Sequence, residues 1–99
     1  MPRKVMISQP MRGKTEQQIR AERSEVVKTL TEQGFEVIDT IFAKSPDEAS
    51  RIPVFWLAQG IDKIAHADCV YFMDGWQDAR GCRIEHQICI DYGVNIIRD

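Results

Sequence analysis

The chain has 99 residues, 43% of them apolar and 28% charged, with a net charge of −2. This suits one soluble domain spanning 1–99 around one modest core, with no bulk attraction to a nucleic acid polymer or an anionic membrane. No apolar run approaches the ~20 residues of a membrane-spanning helix, no secretory signal follows Met1-Pro2-Arg3-Lys4, and the odd set Cys69, Cys82 and Cys89 reads as reduced thiols in a cytoplasmic compartment.

Lys4 to Ser8, carrying Val5, Met6 and Ile7, reads as a first strand. Gln9-Pro10-Met11-Arg12-Gly13 is a loop punctuated by Pro and Gly. Thr15 N-caps a helix, and Gln18 three residues on completes a capping box. That helix runs to about Gln33, with Ile19, Val26, Val27 and Leu30 inward and Gly34 as terminator. On its outer side, Arg20, Arg23 and Lys28 with Glu16, Glu22 and Glu25 predict a solvated surface of i,i+3 and i,i+4 pairs.

Phe35 to Asp39 is a second strand. Residues 41–53, with Pro46 and Pro53 near the ends, are the least regular segment. A connection of that length in a small domain is often functional. A helix from about Val54 to Ala67 turns Leu57, Ile61 and Ile64 inward, and His66 falls in a polar turn. Asp68 to Met73 is a third strand, with Tyr71 a core residue. A last helix runs to Tyr92, Gly93 ends it, and Val94 to Ile97 is a fourth strand.

This β-α-β-α-β-α-β order with continuous apolar strands predicts a parallel sheet with helices on both faces. Right-handed crossovers favour a flavodoxin-like three-layer α/β sandwich of four strands in the order 2-1-3-4. Ligands of such sheets bind at the carboxyl edge where the order reverses, between strands 1 and 3. The loops there are 9–13 and 74–80.

Glu85 stands out in the last helix. Gly81, Ile84, Glu85, Ile88, Cys89 and Tyr92 share one side at about 3.6 residues per turn, and only Glu85 in that stripe is polar. A carboxylate there is out of place structurally but well placed to attack an anomeric carbon or stabilise an oxocarbenium ion. The helix N-terminus would stabilise its charge. The competing reading is an ion pair with Arg80, Arg83 or Arg12.

Arg12 and Gly13 open the first helix. Backbone N–H groups and a guanidinium there make a phosphate site, with Ser8 adding a hydroxyl, and Gly13 permits close backbone approach. The competing reading is a surface arginine in a tight turn. Neither G-x-G-x-x-G nor G-x-x-x-x-G-K-[ST] is present, so dinucleotide and triphosphate sites are unsupported.

In the loop after strand 3, Asp74 or Asp78 can assist a leaving base and Trp76 can stack on one. Alternatively Trp76 caps the core edge and Asp78 N-caps the last helix. Cys82 and His86 stand at i and i+4, but no second ligand pair accompanies them, so no metal is assigned.

The chain resembles the nucleoside 2-deoxyribosyltransferase-like superfamily, and within it the short phage and bacterial DUF4406-type branch. The resemblance spans nearly the whole chain. It is carried by Met6-Ile7-Ser8-Gln9-Pro10-Met11-Arg12-Gly13-Lys14, by Ala67-Asp68-Cys69-Val70-Tyr71-Phe72, and by Gly75-Trp76 with Ala79-Arg80-Gly81-Cys82-Arg83-Ile84-Glu85-His86. It implies that Glu85, at the family spacing from Gly81, is the nucleophile on the sugar C1′. It also implies that Met11-Arg12-Gly13 receives a 5′-phosphate. The pattern departs at Ala79, where the transferases carry an acid, and at Gly60, nearest the place of a second family aspartate.

The resulting expectation is an N-glycosidic-bond enzyme, a hydrolase or deoxyribosyltransferase, acting on a (deoxy)nucleoside 5′-monophosphate or nucleoside. Its catalytic residues are Glu85, Asp78 and Asp74, and its substrate-binding residues are Ser8, Arg12, Gly13, Trp76 and Gly81. It needs neither cofactor nor metal. The 41–53 segment or a partner subunit of a homo-oligomer would close the site, inside a bacterial or phage-infected cell. The alternatives are a non-catalytic nucleotide sensor using the same pocket, or an interaction protein with no small ligand.

Overall fold

Four short parallel strands form the middle layer of the computed structural model, which describes residues 2–38 and 47–98. In chain order the elements are β1 (Lys4–Ser8), α1 (Glu16–Glu32), β2 (Glu36–Ile38), α2 (Ile52–Ala65), β3 (Cys69–Phe72), α3 (Arg80–Tyr92) and β4 (Asn95–Arg98). A single 3-10 turn, Trp76–Asp78, precedes α3. The sheet order is β2-β1-β3-β4, all parallel, which is the predicted flavodoxin-like sandwich.

β1 is central, and Val5, Met6, Ile7 and Ser8 are all buried, as expected of a strand covered on both faces. Side chains alternate across it. Val5 and Ile7 pack with Leu30, Cys69, Val26 and Val27 under α1. Met6 packs on the opposite face with Ile64, Val70, Phe72 and Cys89 under α2 and α3. The register sets Ser8 beside Phe72, at the carboxyl edge.

Local chemistry explains the helix ends. Thr15 accepts from the Gln18 backbone N–H while the Gln18 side chain accepts from Thr15 N–H, the predicted capping box. Gly93 takes φ +69° and closes α3, a left-handed conformation that glycine adopts without penalty.

The structure corrects several expectations. Helix α2 begins at Ile52 and includes Pro53 in its first turn, where the missing N–H has no intrahelical partner to lose. Ile61 is exposed. In α3, Ile84 is exposed and Tyr92 is 81% exposed; the buried residues are Cys82, Glu85 and Cys89. The stripe is therefore rotated toward Cys82. The residue that N-caps α3 is Ala79, not Asp78, and it gives no side-chain cap bond. Arg23, expected on the solvated side of α1, is buried. Asp39, the predicted end of β2, and residues 41–46 of the irregular segment lie outside the described residues. Among the described residues, no helix is long and apolar enough to cross a membrane.

Candidate functional site

The buried polar residues among those described are Ser8, Gln9, Arg23 and Glu85, and their positions in the sheet explain how they meet. Ser8 ends β1 on the α2–α3 side, in phase with Met6. Its Oγ donates to Glu85 Oε1 at 2.6 Å, a buried hydrogen bond between the first strand and the last helix. Gln9, one residue on, turns to α1. Its Nε2 donates to the Ile19 carbonyl at 2.8 Å, and its Oε1 accepts from Arg23 Nη1 at 3.4 Å.

Glu85 is 7% exposed. Burial pushes its pKa up from 4.5 to about 7, against the Ser8 hydrogen bond and the positive charge of Arg23, which both pull it down. It is the sixth residue of α3, beyond the first turn to which the helix-terminal field is confined. Ser8 and Arg23, not the helix terminus, favour its charge. The expected competitor, an ion pair from Glu85 to Arg12, Arg80 or Arg83, is not found among the described residues. Arg83 Nη1 donates instead to the Gln77 carbonyl at 3.1 Å.

The α2 helix completes the surroundings of the carboxylate with an absence. At Gly60 there is no side chain, and a Cβ built there would overlap Glu85 Oε2. Cys82 and Cys89 lie on the same buried side of α3, and burial raises both thiols to about 11. A thiol held that high is not a nucleophile near neutrality.

The other predicted site residues are spread around this pair. Gly81 is half-buried in the first turn of α3. Arg12 and Gly13 are exposed in the turn closed by the Lys14 N–H to Met11 carbonyl bond, with Gly13 at φ +79° and open space beyond it. Ser8, expected to hold phosphate, spends its hydroxyl on Glu85. Asp74 and Asp78 are exposed. Asp74 lines a shallow depression of about 220 Å³ with Lys14, Glu22, Val26, Tyr71 and Met73, on the α1 side of the sheet. Neither aspartate is hydrogen-bonded to Glu85 among the described residues. The Trp76 ring stacks on His86 at 4.2 Å and 15°, and both lie against Phe72. One face of the tryptophan is thus covered by protein, as in the core-edge reading.

A family model described as "Domain of unknown function (DUF4406)" matches residues 3–98. The chain belongs to that family. No curated protein and no solved structure matches it.

Sequence reasoning missed Gln9, Arg23 and Gly60 in this DUF4406 chain. For Arg23 a signal was present. It lies four residues after Ile19 and seven before Leu30, on the inward stripe of α1. Its charge masked its phase. A glycine inside an otherwise helical pattern is likewise a mark of close packing.

Proposed function

We propose that this protein breaks the N-glycosidic bond of a (deoxy)nucleoside 5′-monophosphate, with Glu85 acting at the anomeric carbon. The observation that supports this best is the buried Glu85–Ser8 pair at the carboxyl edge of the sheet, where the strand order reverses between β1 and β3. An isolated buried carboxyl is costly unless it is held, and here a hydroxyl orients one oxygen while a buried cation stands near.

In this reading the ionised Glu85 forms a bond to C1′ as the C1′–N bond breaks, and the base leaves with the electron pair and takes a proton from solvent. Water then attacks the glycosyl ester, releasing the sugar phosphate and the free carboxylate. A second base in place of water makes the same site a transferase. Ser8 orients Glu85 and does not bind phosphate. Arg12 and the open Gly13 backbone at the start of α1 receive the 5′-phosphate. The resemblance of Met11-Arg12-Gly13 to a phosphate-receiving loop supports that assignment. The enzyme works in the cytoplasm as a homo-oligomer whose neighbouring subunit limits water access.

Incubation with each dNMP and NMP, followed by chromatography of the free base, is the test. Release is expected, rising as pH passes through about 7 where Glu85 ionises, and disappearing in Glu85→Gln. Saturable nucleotide binding without release, weakened by Arg12→Ala, would replace the enzyme with a sensor.

A further inference from the structure

Gly60 lies within α2 (Ile52–Ala65), in a helix interior where glycine is disfavoured relative to alanine. Its backbone does not call for glycine: the positive-φ glycines are Gly13, Gly34, Gly75 and Gly93. Glu85 calls for it. A Cβ on Gly60 would overlap Glu85 Oε2 and stand 3.2 Å from its Cδ, while Met6 Cε would be at an ordinary 3.5 Å. The carboxyl group of α3 fills the space that a side chain on α2 would take. At the same time Oε1 accepts from Ser8 Oγ at 2.6 Å. The two oxygens therefore have different seats on different elements.

We infer that Gly60 is a positioning residue, the gap it leaves in α2 being the seat that fixes Glu85 Oε2 while Ser8 holds Oε1. The seat itself rests on geometry alone. Its consequence for rate rests on the reading of Glu85 as the group that acts at the sugar. The overlapping atoms are the far end of a flexible side chain. Alanine at position 60 therefore moves Glu85 out of its seat and leaves the helix intact. The displaced carboxyl gives up the Ser8 hydrogen bond and gains water.

The experiment compares the parent with Gly60→Ala, Glu85→Ala and the double variant, by urea denaturation, by carbon-13 NMR titration of the Glu85 carboxyl, and by base release from dNMPs. In Gly60→Ala the Glu85 midpoint should fall by about one pH unit or more as the group becomes hydrated. Base release should fall at least about tenfold, in kcat and not in KM, because the reacting atom is misplaced. In the Glu85→Ala background the seat is empty, so alanine at 60 becomes neutral or stabilising. Should Gly60→Ala alone fail to fold, a folded double variant supports the seat. Failure of both overturns it, as does an unchanged Glu85 midpoint, or an equal cost of Gly60→Ala in both backgrounds. A parent that releases no base, with the midpoint and the cycle as expected, overturns the glycosidic reading and leaves the seat standing.

Discussion

Helices α1 and α3 lie on opposite faces of the same sheet, and each sends one charged side chain to the carboxyl end of β1. They are built differently. α1 opens on a reciprocal capping box and places Arg23 between Ile19 and Leu30, hydrogen-bonded to Gln9. α3 opens on Ala79 with no side-chain cap, and buries Glu85 with the Ser8 hydroxyl as its hydrogen-bond partner. A buried cation near a buried acid is an arrangement whose burial opposes both charges. The charge on α1 restrains the pKa of Glu85 but does not return it to the ordinary range, because burial outweighs it. Burial therefore opposes ionisation of Glu85, held at the carboxyl end of β1 by Ser8.

The sharpest way to break the comparison is to remove that ionisable group. The folded chain raises Glu85 from 4.5 to about 7, so it binds the proton more tightly than the unfolded chain does. Stability from this source is complete below about pH 4.5 and is lost as pH rises through about 7. The full swing is on the order of 3 kcal/mol. Glu85→Gln keeps the shape and an acceptor for Ser8 but cannot ionise. Urea denaturation at pH 5 and pH 8.5 should show the parent weakening across the interval and Glu85→Gln losing most of that slope. Equal slopes would mean that Glu85 is not the linked group.

Replacing Arg23 attacks the same site from the other side. Arg23→Met keeps the length and apolar stem but removes the donor to Gln9 Oε1 and the charge near Glu85. A buried hydrogen bond from a charged donor is worth about 2 kcal/mol, and a loss of that size is expected in the denaturation free energy at pH 5. The Glu85 midpoint should also move further up, since the cation was pulling it down. A midpoint that stays or falls would show that Arg23 does not act on the acid.

The contrast also shows what can be read from the chain. The Thr15–Gln18 box and the glycine terminators depend on local residue choice and stand out in the sequence, and the strand order follows from the alternation of apolar strands and helices. Glu85 is legible because it is polar in an apolar stripe. The stripe fixes a side only to within a fraction of a turn, so Ile84 and Tyr92 fall on the exposed side. Cys82 faces inward in their stead. Arg23 was hidden by the rule that charge means solvent, which fails where Gln9 supplies an acceptor. Gly60 looked like a missing aspartate. Its use lies in what another helix places there, 25 positions on in the chain; a glycine in a helical pattern marks close packing but does not name the partner.

The smallest expected effect sharpens the comparison by separating fold from site. Thr15→Ala removes one half of the capping box and should cost about 1 kcal/mol by denaturation, the usual loss for an N-cap threonine. The bond lost is exposed and belongs to the first turn of α1, whereas Ile19 and Arg23 are held further along by burial and by Gln9. The Glu85 titration should therefore stay at the parent value. A midpoint that shifts with Thr15→Ala would show that the start of α1, and with it the Arg12–Gly13 turn, is mechanically joined to the acid, making α1 part of the site as well as of the scaffold.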